Sequence, residues 1–526
     1  MHSGLPSSGA GAQSWLPRPA PGAGSQSWLP GPAPGAGLLL GVPEPGSPGG
    51  GLPLGVLGLP AGGTGTPGPL LPLILMPLPL LLGPPPGPPP PLYPFQEEGA
   101  RFLAERPAAL LCDEMGLGKS VQAIVALRSL LEEGKVRRAL VLCPKGLVLD
   151  WARKFRRWAP ELILCPMTGP ARRRHHEWRY PRVQVYVAGY ETWREDCEVV
   201  QPDFDLVILD EVQRIKNPRT QVAQAVQRIP APRRWGLSGT PLENRLGELV
   251  AIFSYLCPGL IPPGAGPREV REAIAPYVLR RRKAEVLTLP PKEHREVWLD
   301  LGPRQREAYE AACSRAREAL AVGETGRAQV LTLLTELKQL CNLEPESGES
   351  VKLDFILREL PAIQARGEKV LIFSQYPEKT LLPLLPRLMP YGACLFSGVL
   401  SQWQREEVVR RFEEEEWPRV LLVSLRAGGV GLTFTRANHV YHFDQWWNPA
   451  AAVQAEDRVH RIGQHRPVTV TSLCTRDTVE TEIARLLARK RELFNEVVEG
   501  LESPRLEGEV LAELLSAHLS GAGGVC

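Results

Sequence analysis

Short, almost uninterrupted apolar runs recur along the first half of the chain. The runs are ALVLCP (139–144), VQVYVAG (183–189) and FDLVILDE (204–211). The segment SVQAIVALRSLLEEGK (120–135) instead repeats its apolar residues at helical spacing. Because strands that are buried on both faces lack polar alternation, this order predicts a parallel sheet covered by helices on both sides.

The same alternation returns in the second half of the chain. The apolar runs there are KVLIFSQ (369–375), VLLVSL (420–425), HVYHFD (439–444) and VTVTSLC (468–474). Between the two series, residues from about 250 to 350 follow a helical pattern rich in Arg, Glu, Ala and Leu. The sequence therefore predicts an α/β fold with two tandem parallel-sheet lobes and a helical, basic joint between them.

Residues 1–91 differ in composition from the rest of the chain. QSWLPRPAPGAG (13–24) recurs as QSWLPGPAPGAG (26–37), and the segment ends in GPPPGPPPP. Proline and glycine at this density predict a disordered segment, which would serve as a spacer or as a docking segment through its Trp-Leu-Pro repeat. The apolar stretch PLLPLILMPLPLLLG (69–83) is short and rich in proline, which argues against a membrane-spanning helix.

These patterns divide the chain into five predicted parts. They are a disordered Pro/Gly-rich segment (1–91), a first lobe (92–276), a helical joint (277–350), a second lobe (351–500) and a tail (501–526). The formal net charge of +3 permits a nucleic-acid partner without requiring one. Ten cysteines are scattered singly without a C-x-x-C pair, which indicates neither a zinc ribbon nor a disulfide framework and favours a reducing compartment. No secretory signal is expected, because no basic region precedes an uninterrupted apolar core.

The clearest candidate for chemistry is DEMGLGKS, residues 113–120, which we name the phosphate loop. Gly116 and Gly118 allow backbone N–H groups to approach a phosphate, and the helix predicted after them directs its positive end there. Lys119 would reach the β and γ phosphates of a nucleotide, and Ser120 would coordinate Mg²⁺. The formal pattern begins with glycine where this chain has aspartate, so an ordinary turn capped by serine is the alternative.

Two carboxylates follow the predicted strand in VILDEVQ (207–213). A strand that ends in two carboxylates places both at the carboxyl edge of a parallel sheet, where such sheets bind ligands. Asp210 would hold Mg²⁺, commonly through water, and Glu211 would orient and deprotonate an attacking water. Such a pair can also be a solvated strand end, but its position after a phosphate loop in the same lobe favours nucleotide hydrolysis.

Two arginines, Arg458 and Arg461, lie in QAEDRVHRIGQ (454–464). Because they are three residues apart, they share one face of a predicted helix. They either form surface salt bridges or cross from the second lobe to the γ-phosphate, where they would stabilise charge in the transition state. In the second case hydrolysis would depend on closure of the two lobes, as a molecular motor requires.

With these motifs in this order, residues from about 93 to 500 resemble the Swi/Snf-type ATPases of helicase superfamily two, which translocate on double-stranded DNA. The motifs are LYPFQEEGARFL, DEMGLGKS, LCPKGLVLDWARKF, DEVQRIKN, LSGTPLENRLGEL (237–249), YVLRRRKAEV (277–286), LVSLRAGGVGLTFTRANHV and FDQWWNPAAAVQAEDRVHRIGQ. In that family Asp or a similar residue commonly begins the phosphate loop. The resemblance implies two RecA-like lobes that close on one Mg·ATP.

The resemblance also implies roles for individual residues. Gln96 is similar to the glutamine of the adenine-reading segment, and Asp113 and Leu117 join the other phosphate-loop residues in binding the nucleotide. The residues implied to couple hydrolysis to movement are Ser238, Gly239, Thr240 and Gln464. The chain departs from the usual family pattern at Gln213, where many relatives have His, at Leu343 and Glu344, where His-Pro is usual, and at Thr433, where Asn is usual. These departures leave the implied ATP chemistry intact and concern coupling.

A translocase must contact the nucleic-acid backbone rather than base edges, because it steps over any sequence. Candidate contacts lie at strand ends, in glycine turns and in the motifs of the second lobe, and they are Lys145, Ser374, Gln375, Gly428, Gly429, Thr433 and Trp447. Basic runs at 151–160, 171–179 and 280–283 would add positive charge, unless they are solvated helix faces.

The sequence therefore predicts an ATP-dependent translocase on double-stranded DNA that remodels protein–DNA complexes, with ATP and Mg²⁺ as cofactors. A strand-separating DNA or RNA helicase and a non-catalytic nucleic-acid-binding scaffold are the alternatives. The expected partners are duplex DNA and DNA-bound proteins such as nucleosomes, polymerase or recombination proteins, without a membrane partner and with a monomeric chain. The expected location is the nucleus in a eukaryote or the cytoplasm and nucleoid in a bacterium.

Overall fold

The computed structural model describes residues 89–200, 203–239, 246–321, 327–424, 432–446 and 449–485, together with 515, 518 and 519. The N-terminal repeat, the apolar stretch 69–83 and most of the predicted tail lie outside the described residues. Within the described part of the chain, no helix combines the length and the apolar character that a membrane span needs.

The first lobe is a seven-stranded parallel sheet with helices on both faces. Its strands are β1 (Ala108–Leu111), β2 (Ala139–Cys143), β3 (Leu164–Pro166), β4 (Val185–Gly189), β5 (Leu206–Asp210), β6 (Arg233–Leu237) and β7 (Val278–Leu279). Their order across the sheet is β3-β4-β2-β5-β6-β1-β7. Its helices are α1 (Pro94–Glu105), α2 (Lys119–Glu132), α3 (Val148–Trp158), α4 (Ala171–Glu177), α5 (Tyr190–Asp196), α6 (Gln221–Gln227), α7 (Leu246–Leu256) and α8 (Pro267–Ile274).

Apolar side chains cover both faces of this sheet, which explains why its strands have uninterrupted apolar sequences. In β2, Val141 packs into one core together with Phe155 of α3, whereas its neighbour Leu140 packs into the opposite core together with Trp193 of α5. Each buried side chain of this size contributes about 1.5–3 kcal/mol to folding. A charged residue at either position would therefore disrupt one core directly.

The second lobe is a six-stranded parallel sheet. Its strands are β8 (Lys292–Leu299), β9 (Val370–Ser374), β10 (Ala393–Phe396), β11 (Val420–Ser424), β12 (His439–His442) and β13 (Val468–Thr475), in the order β10-β11-β9-β12-β13-β8. Its helices are α12 (Val351–Ala365), α13 (Leu382–Leu388), α14 (Gln402–Glu414) and α15 (Pro449–Glu456), and α9 (Lys283–Val286), α10 (Pro303–Ala321) and α11 (Arg327–Asn342) lie in the joint. The prediction of two parallel-sheet lobes is confirmed.

The segment predicted as a helical joint (277–350) contains strands as well as helices. β7 pairs with β1 of the first sheet, and β8 pairs along its whole length with β13 of the second. The sequence of β8, KEHREVWL, is largely charged because the strand lies at a sheet edge, where polar side chains face solvent. The joint therefore supplies one edge strand to each lobe.

Helices α10 and α11 share a core with the described residues of the C-terminal tail. Leu515 and Leu519 are buried against this helix pair. Nε2 of His518 lies 2.8 Å from the hydroxyl oxygen of Tyr309 in α10. Nε of Arg317 in α10 also donates to the carbonyl of Leu519 at 3.0 Å. The tail therefore docks on the joint through one apolar cluster and these hydrogen bonds.

Candidate active site

Three loops that carry predicted site residues leave neighbouring strands of the first sheet. β5, β6 and β1 lie side by side and run parallel. The phosphate loop follows β1, Asp210 ends β5, and Ser238 and Gly239 follow β6. These residues therefore lie at one edge of the sheet, the edge at which parallel sheets bind ligands.

Two glycines give the phosphate loop its shape. Gly116 has φ of +90° and Gly118 has φ of +77°, which are left-handed conformations that favour glycine. Helix α2 begins at Lys119, so its positive end faces the loop. The side-chain amide of Gln96 donates to the carbonyl of Leu117 at 3.2 Å. Gln96, predicted to read adenine, therefore also supports the loop.

The ammonium of Lys119 lies against the loop and is buried. Its Nζ donates to the carbonyl oxygen of Asp113 at 2.7 Å and to that of Glu114 at 3.3 Å. Burial lowers the pKa of Lys119, and the negative charge of Glu211 opposes this effect most strongly. An anion that entered the loop would offer Lys119 charge-assisted hydrogen bonds, which are stronger than its bonds to neutral carbonyl groups.

Asp113 has a structural role that differs from the one predicted for it. Its buried carboxylate accepts hydrogen bonds from Nη2 and Nε of Arg281, at 2.6 and 3.0 Å, and from the amide of Gln122 at 3.0 Å. Both carboxylate oxygens are thus bonded to protein, and the residue anchors the start of the phosphate loop. Nucleotide binding by Asp113 stays a prediction.

The carboxylate of Asp210 is buried at the end of β5 and is fixed on two sides. Nε1 of Trp151 donates to Oδ2 at 2.8 Å, and the backbone N–H of Glu211 donates to Oδ1 at 3.0 Å. Burial, together with repulsion from Glu211, raises the pKa of Asp210 to about 6. A carboxylate in this environment is stabilised by a nearby cation, as a metal ligand would be.

Glu211 links the acidic pair to the next loop of the sheet. Its φ of +53° is uncommon for a residue that has a Cβ and marks local strain. The amide nitrogen of Gln213 donates to its carboxylate at 2.6 Å, and the hydroxyl of Ser238 donates to the amide oxygen at 3.1 Å. This chain of hydrogen bonds joins the carboxylate predicted to activate water to the serine predicted to couple hydrolysis. The adjacent Gly239 lies so close to Lys119 that an added Cβ would be 3.1 Å from its Nζ.

Ser120 and Asp210 offer the oxygen ligands that Mg²⁺ prefers. The ammonium of Lys154 lies beside this pair: its Nζ donates to Oγ of Ser120 at 3.2 Å and forms an ion pair with Asp150 at 2.8 Å. Its charge lowers the pKa of Asp210 against the effect of burial, so a cation near these two oxygens is favourable. No cluster of three His, Cys, Asp or Glu among the described residues is arranged to hold a metal by itself. Mg²⁺ at Ser120 and Asp210 would thus need phosphate oxygens as further ligands.

Both predicted arginines reach this cleft from the second lobe. Arg461 lies against the phosphate loop, since a Cβ added to Gly116 would be 2.8 Å from the Cβ of Arg461. Burial and the charge of Arg461 lower the pKa of Arg458 to about 10, and the charge of Glu211 in the first lobe opposes this effect. The structure therefore brings both arginines close to the phosphate loop and the acidic pair.

The predicted nucleic-acid contacts have varied positions. Lys145 is exposed directly after β2. Ser374 is fully buried and its hydroxyl donates to Asp444, and the predicted contact of this residue with nucleic acid stays a prediction. Gln375 is half-buried, and its amide donates to Asp444 at 2.8 Å and to the carbonyl of Gln445 at 2.9 Å. Lys145 is thus the most accessible of these three residues.

Two further predictions are refined by hydrogen bonds in the second lobe. The hydroxyl of Thr433, a predicted nucleic-acid contact, accepts a hydrogen bond from Arg461 at 2.8 Å and therefore orients that arginine. Gln464, a predicted coupling residue, is buried and donates to the carbonyl of Ala437 at 2.8 Å, which fixes the turn after the arginines. The predicted residues Thr240, Gly428, Gly429 and Trp447 lie outside the described residues.

The basic run 280–283, which the sequence predicts either to add positive charge for nucleic acid or to be a solvated helix face, divides into two exposed and two buried residues. Arg280 and Arg282 are exposed, but Arg281 and Lys283 are buried and bonded to carboxylates. The four residues are chemically alike, so the sequence contains no signal that separates the buried pair from the exposed pair.

Comparison with known proteins identifies the family. A model described as "SNF2-related domain" matches residues 95–262 and 265–346, and a model described as "Helicase conserved C-terminal domain" matches residues 351–463. Together these matches cover most of the chain, including the first lobe, the second lobe as far as residue 463, and the site residues described above up to Arg461.

Individual proteins are similar over the same region. A Bacillus subtilis protein, provisionally named ATP-dependent helicase/translocase YwqA, is 33% identical over 78% of this chain and 49% of its own length. The human SWI/SNF-related matrix-associated actin-dependent regulator of chromatin subfamily A member 1 is 31% identical over 74% of this chain and 42% of its own length. The solved Sulfolobus solfataricus SWI2/SNF2 ATPase core in complex with dsDNA is 26% identical, covers 83% of this chain and 95% of that chain, and has a TM-score of 0.38.

The chain spans about half the length of the curated relatives that it matches. The two family models nevertheless match its lobes in the order that the motifs predicted. The chain therefore belongs to the Swi/Snf (SNF2) family.

Proposed function

We propose that this chain is an ATP-driven motor that moves along double-stranded DNA and remodels protein–DNA complexes. The observation that carries the proposal is the convergence of two lobes on one cleft. Lys119, Asp210 and Glu211 come from the first lobe, and Arg461 of the second lobe packs on Gly116 of the phosphate loop. Such an arrangement allows hydrolysis only when the lobes are closed.

In this proposal each residue has one task in hydrolysis of the β–γ bond of ATP. Lys119 binds the β and γ phosphates, and Glu211 accepts the proton of the attacking water. Ser120 and Asp210 hold Mg²⁺, which neutralises phosphate charge when it is bound. Arg458 and Arg461 stabilise the charge that develops on the transferred phosphoryl group, an effect worth about 10³–10⁵ in rate for arginines that act in this way.

Movement would follow from the link between the cleft and the DNA-facing loops. Glu211 is joined through Gln213 to Ser238, so the state of the nucleotide can reach the neighbouring loop. Lys145 of the first lobe and Arg280 and Arg282 of the joint are exposed cations that would contact phosphate groups. Contacts of this kind carry no sequence information, as a motor that steps over any sequence requires.

The names of the relatives support this class of activity and suggest its setting. They include helicase/translocase proteins and regulators of chromatin. We propose DNA-bound proteins, such as nucleosomes, polymerase or recombination proteins, as the objects that the motor displaces. The corresponding location would be the nucleus in a eukaryote or the nucleoid in a bacterium.

The test is steady-state ATP hydrolysis with no nucleic acid, with duplex DNA, with single-stranded DNA and with RNA, for the wild type and for Glu211→Gln. The proposal predicts stimulation by duplex DNA that is lost in the variant. Stimulation by single strands or RNA alone would favour a strand-separating helicase. Absence of hydrolysis under all four conditions would favour a non-catalytic binding scaffold.

A further inference from the structure

Two buried cations in the joint point to different lobes. Arg281 and Lys283 are separated by the exposed Arg282 and lie just after β7, which ends at Leu279. Arg281 bonds to Asp113 at the start of the phosphate loop. Lys283 bonds to Asp457 in the second lobe, where its Nζ lies 2.6 Å from Oδ1. One short segment therefore contacts both sides of the cleft.

Lys283 makes contacts on both sides by itself. Its backbone N–H donates to the carboxylate of Glu114 in the phosphate loop at 2.8 Å, and its Nζ lies 4.0 Å from the other oxygen of that carboxylate. The same Nζ donates to the carbonyl of His460 at 2.9 Å. A Cβ added to Gly116 would be 3.3 Å from Cε of Lys283, so the lysine stem also packs on the loop.

The partners of Lys283 in the second lobe are adjacent to the two arginines. Asp457 directly precedes Arg458, and His460 directly precedes Arg461. A single ammonium therefore fixes both ends of the turn that carries the arginines. Because Lys283 and Asp457 are both buried, water cannot readily replace either partner.

We propose that Lys283 is a positioning residue for hydrolysis, which joins the arginine-bearing turn of the second lobe to the phosphate loop. This inference rests on the proposed function and extends it to the joint. The joint then does more than connect the lobes: it sets the distance between Arg461 and the γ-phosphate. A displacement of about 1 Å in a reacting group can cost about 100-fold in rate.

The test compares Lys283→Met with Lys292→Met in the full chain. Lys292 forms a similar ion pair, 2.9 Å long, with Glu456, but both residues of that pair belong to the second lobe. We expect K283M to lower kcat for ATP hydrolysis about 100-fold. We expect the affinity for a fluorescent non-hydrolysable ATP analogue with Mg²⁺ to stay within about twofold, because Lys283 bonds to Glu114, Asp457 and His460 and to neither Lys119 nor Ser120, which are expected to bind the phosphates and Mg²⁺. K292M should keep kcat within about twofold of the wild type.

A second pair of variants separates positioning from general loss of structure. In an Arg461→Ala background, K283M should lower kcat no further, because residues that act through one another are not additive. If K283M does not fold, Asp457→Asn removes the same ion pair from the other side and should show the same loss of kcat with unchanged analogue binding.

The outcomes distinguish this inference from the proposed function. The inference alone is overturned if the wild type hydrolyses ATP and K283M has the same kcat as K292M. If K283M does not fold, D457N takes its place in this comparison. A tenfold or greater loss of analogue affinity in K283M also overturns it, since the residue would then act on binding. A wild type that binds no nucleotide overturns the proposed function and the inference together.

Discussion

Replacement of Asp210 by asparagine should stabilise the folded protein while it abolishes hydrolysis. The Asp210 carboxylate is buried beside Glu211, and these surroundings raise its pKa to about 6. A neutral amide avoids the burial of a charge and the repulsion from Glu211. Its side-chain oxygen still accepts the hydrogen bond from Trp151, which measures 2.8 Å in the wild type.

The magnitude follows from the shift in pKa. The ordinary pKa of an aspartate is 3.8, and each unit of difference from it is worth about 1.36 kcal/mol. Burial of the charged carboxylate therefore costs about 3 kcal/mol of stability at neutral pH. The asparagine loses the hydrogen bond from the N–H of Glu211, and this loss cancels about 1 kcal/mol of the gain in stability. We therefore expect a net gain of about 1–2 kcal/mol, or a few degrees in the melting temperature of the first lobe.

The pH dependence has a definite sign. Above about pH 6 the folded wild type carries the charge and bears the full penalty. Below that pH the folded state takes up a proton more readily than the unfolded state, so the penalty fades as the pH falls towards 3.8. The difference in stability between D210N and the wild type should therefore be largest at neutral pH and smaller at pH 5.

The assay is thermal unfolding of both proteins at pH 7.5 and pH 5, with Asp203→Asn as the control. Asp203 lies shortly before β5, and its side chain is 81% exposed, so its replacement should change stability by less than about 0.5 kcal/mol. If D210N is no more stable than the wild type at pH 7.5, the reasoning is refuted, because burial of the Asp210 carboxylate would then carry no cost in stability.

Three other predictions concern residues outside the nucleotide loops. Arg281→Met leaves the buried charge of Asp113 without its ion-pair partner and should lower the free energy of unfolding by about 3–5 kcal/mol. The control Arg282→Met replaces an exposed residue and should not, so equal melting temperatures of the two variants would contradict the prediction. Gln213→Ala removes the hydrogen bonds that join Glu211 to Ser238 and should lower kcat about tenfold with unchanged nucleotide affinity. A change in nucleotide affinity without a change in kcat would argue against a coupling role. Burial lowers the pKa of His518, so protonation of this histidine should loosen the docked tail as the pH falls below 6.5. The rate of proteolysis at the C-terminus measures this loosening, and the same pH profile in His518→Phe would exclude the histidine as its cause.

The central strands could be predicted because their own residues carry the signal, without reference to distant parts of the chain. A strand such as β5, which is buried on both faces, must be apolar throughout, and the carboxylates at its end are therefore conspicuous. The edge strand β8 was not predicted, because half of its environment is solvent and its residues are charged. Pairing with β13, which is distant in the sequence, is what makes it a strand.

The sequence indicates the residues that we propose to react, but it does not indicate the residues that hold them in place. Lys119 and Glu211 are recognised from motifs whose spacing reflects the chemistry. The supports are Trp151, which donates to Asp210, and Arg281, which binds Asp113. Their roles depend on contacts between elements far apart in the chain, and a tryptophan or an arginine in a basic run has many other uses.

The measurement that tests the account most directly is displacement of a third strand from triplex DNA by the wild-type chain with ATP. A motor that tracks along duplex DNA removes the third strand and leaves the duplex paired, and this is the result that we predict. The Glu211→Gln variant should bind the same DNA without displacement. Separation of the duplex strands, or hydrolysis of ATP on duplex DNA without any displacement, would contradict translocation along double-stranded DNA.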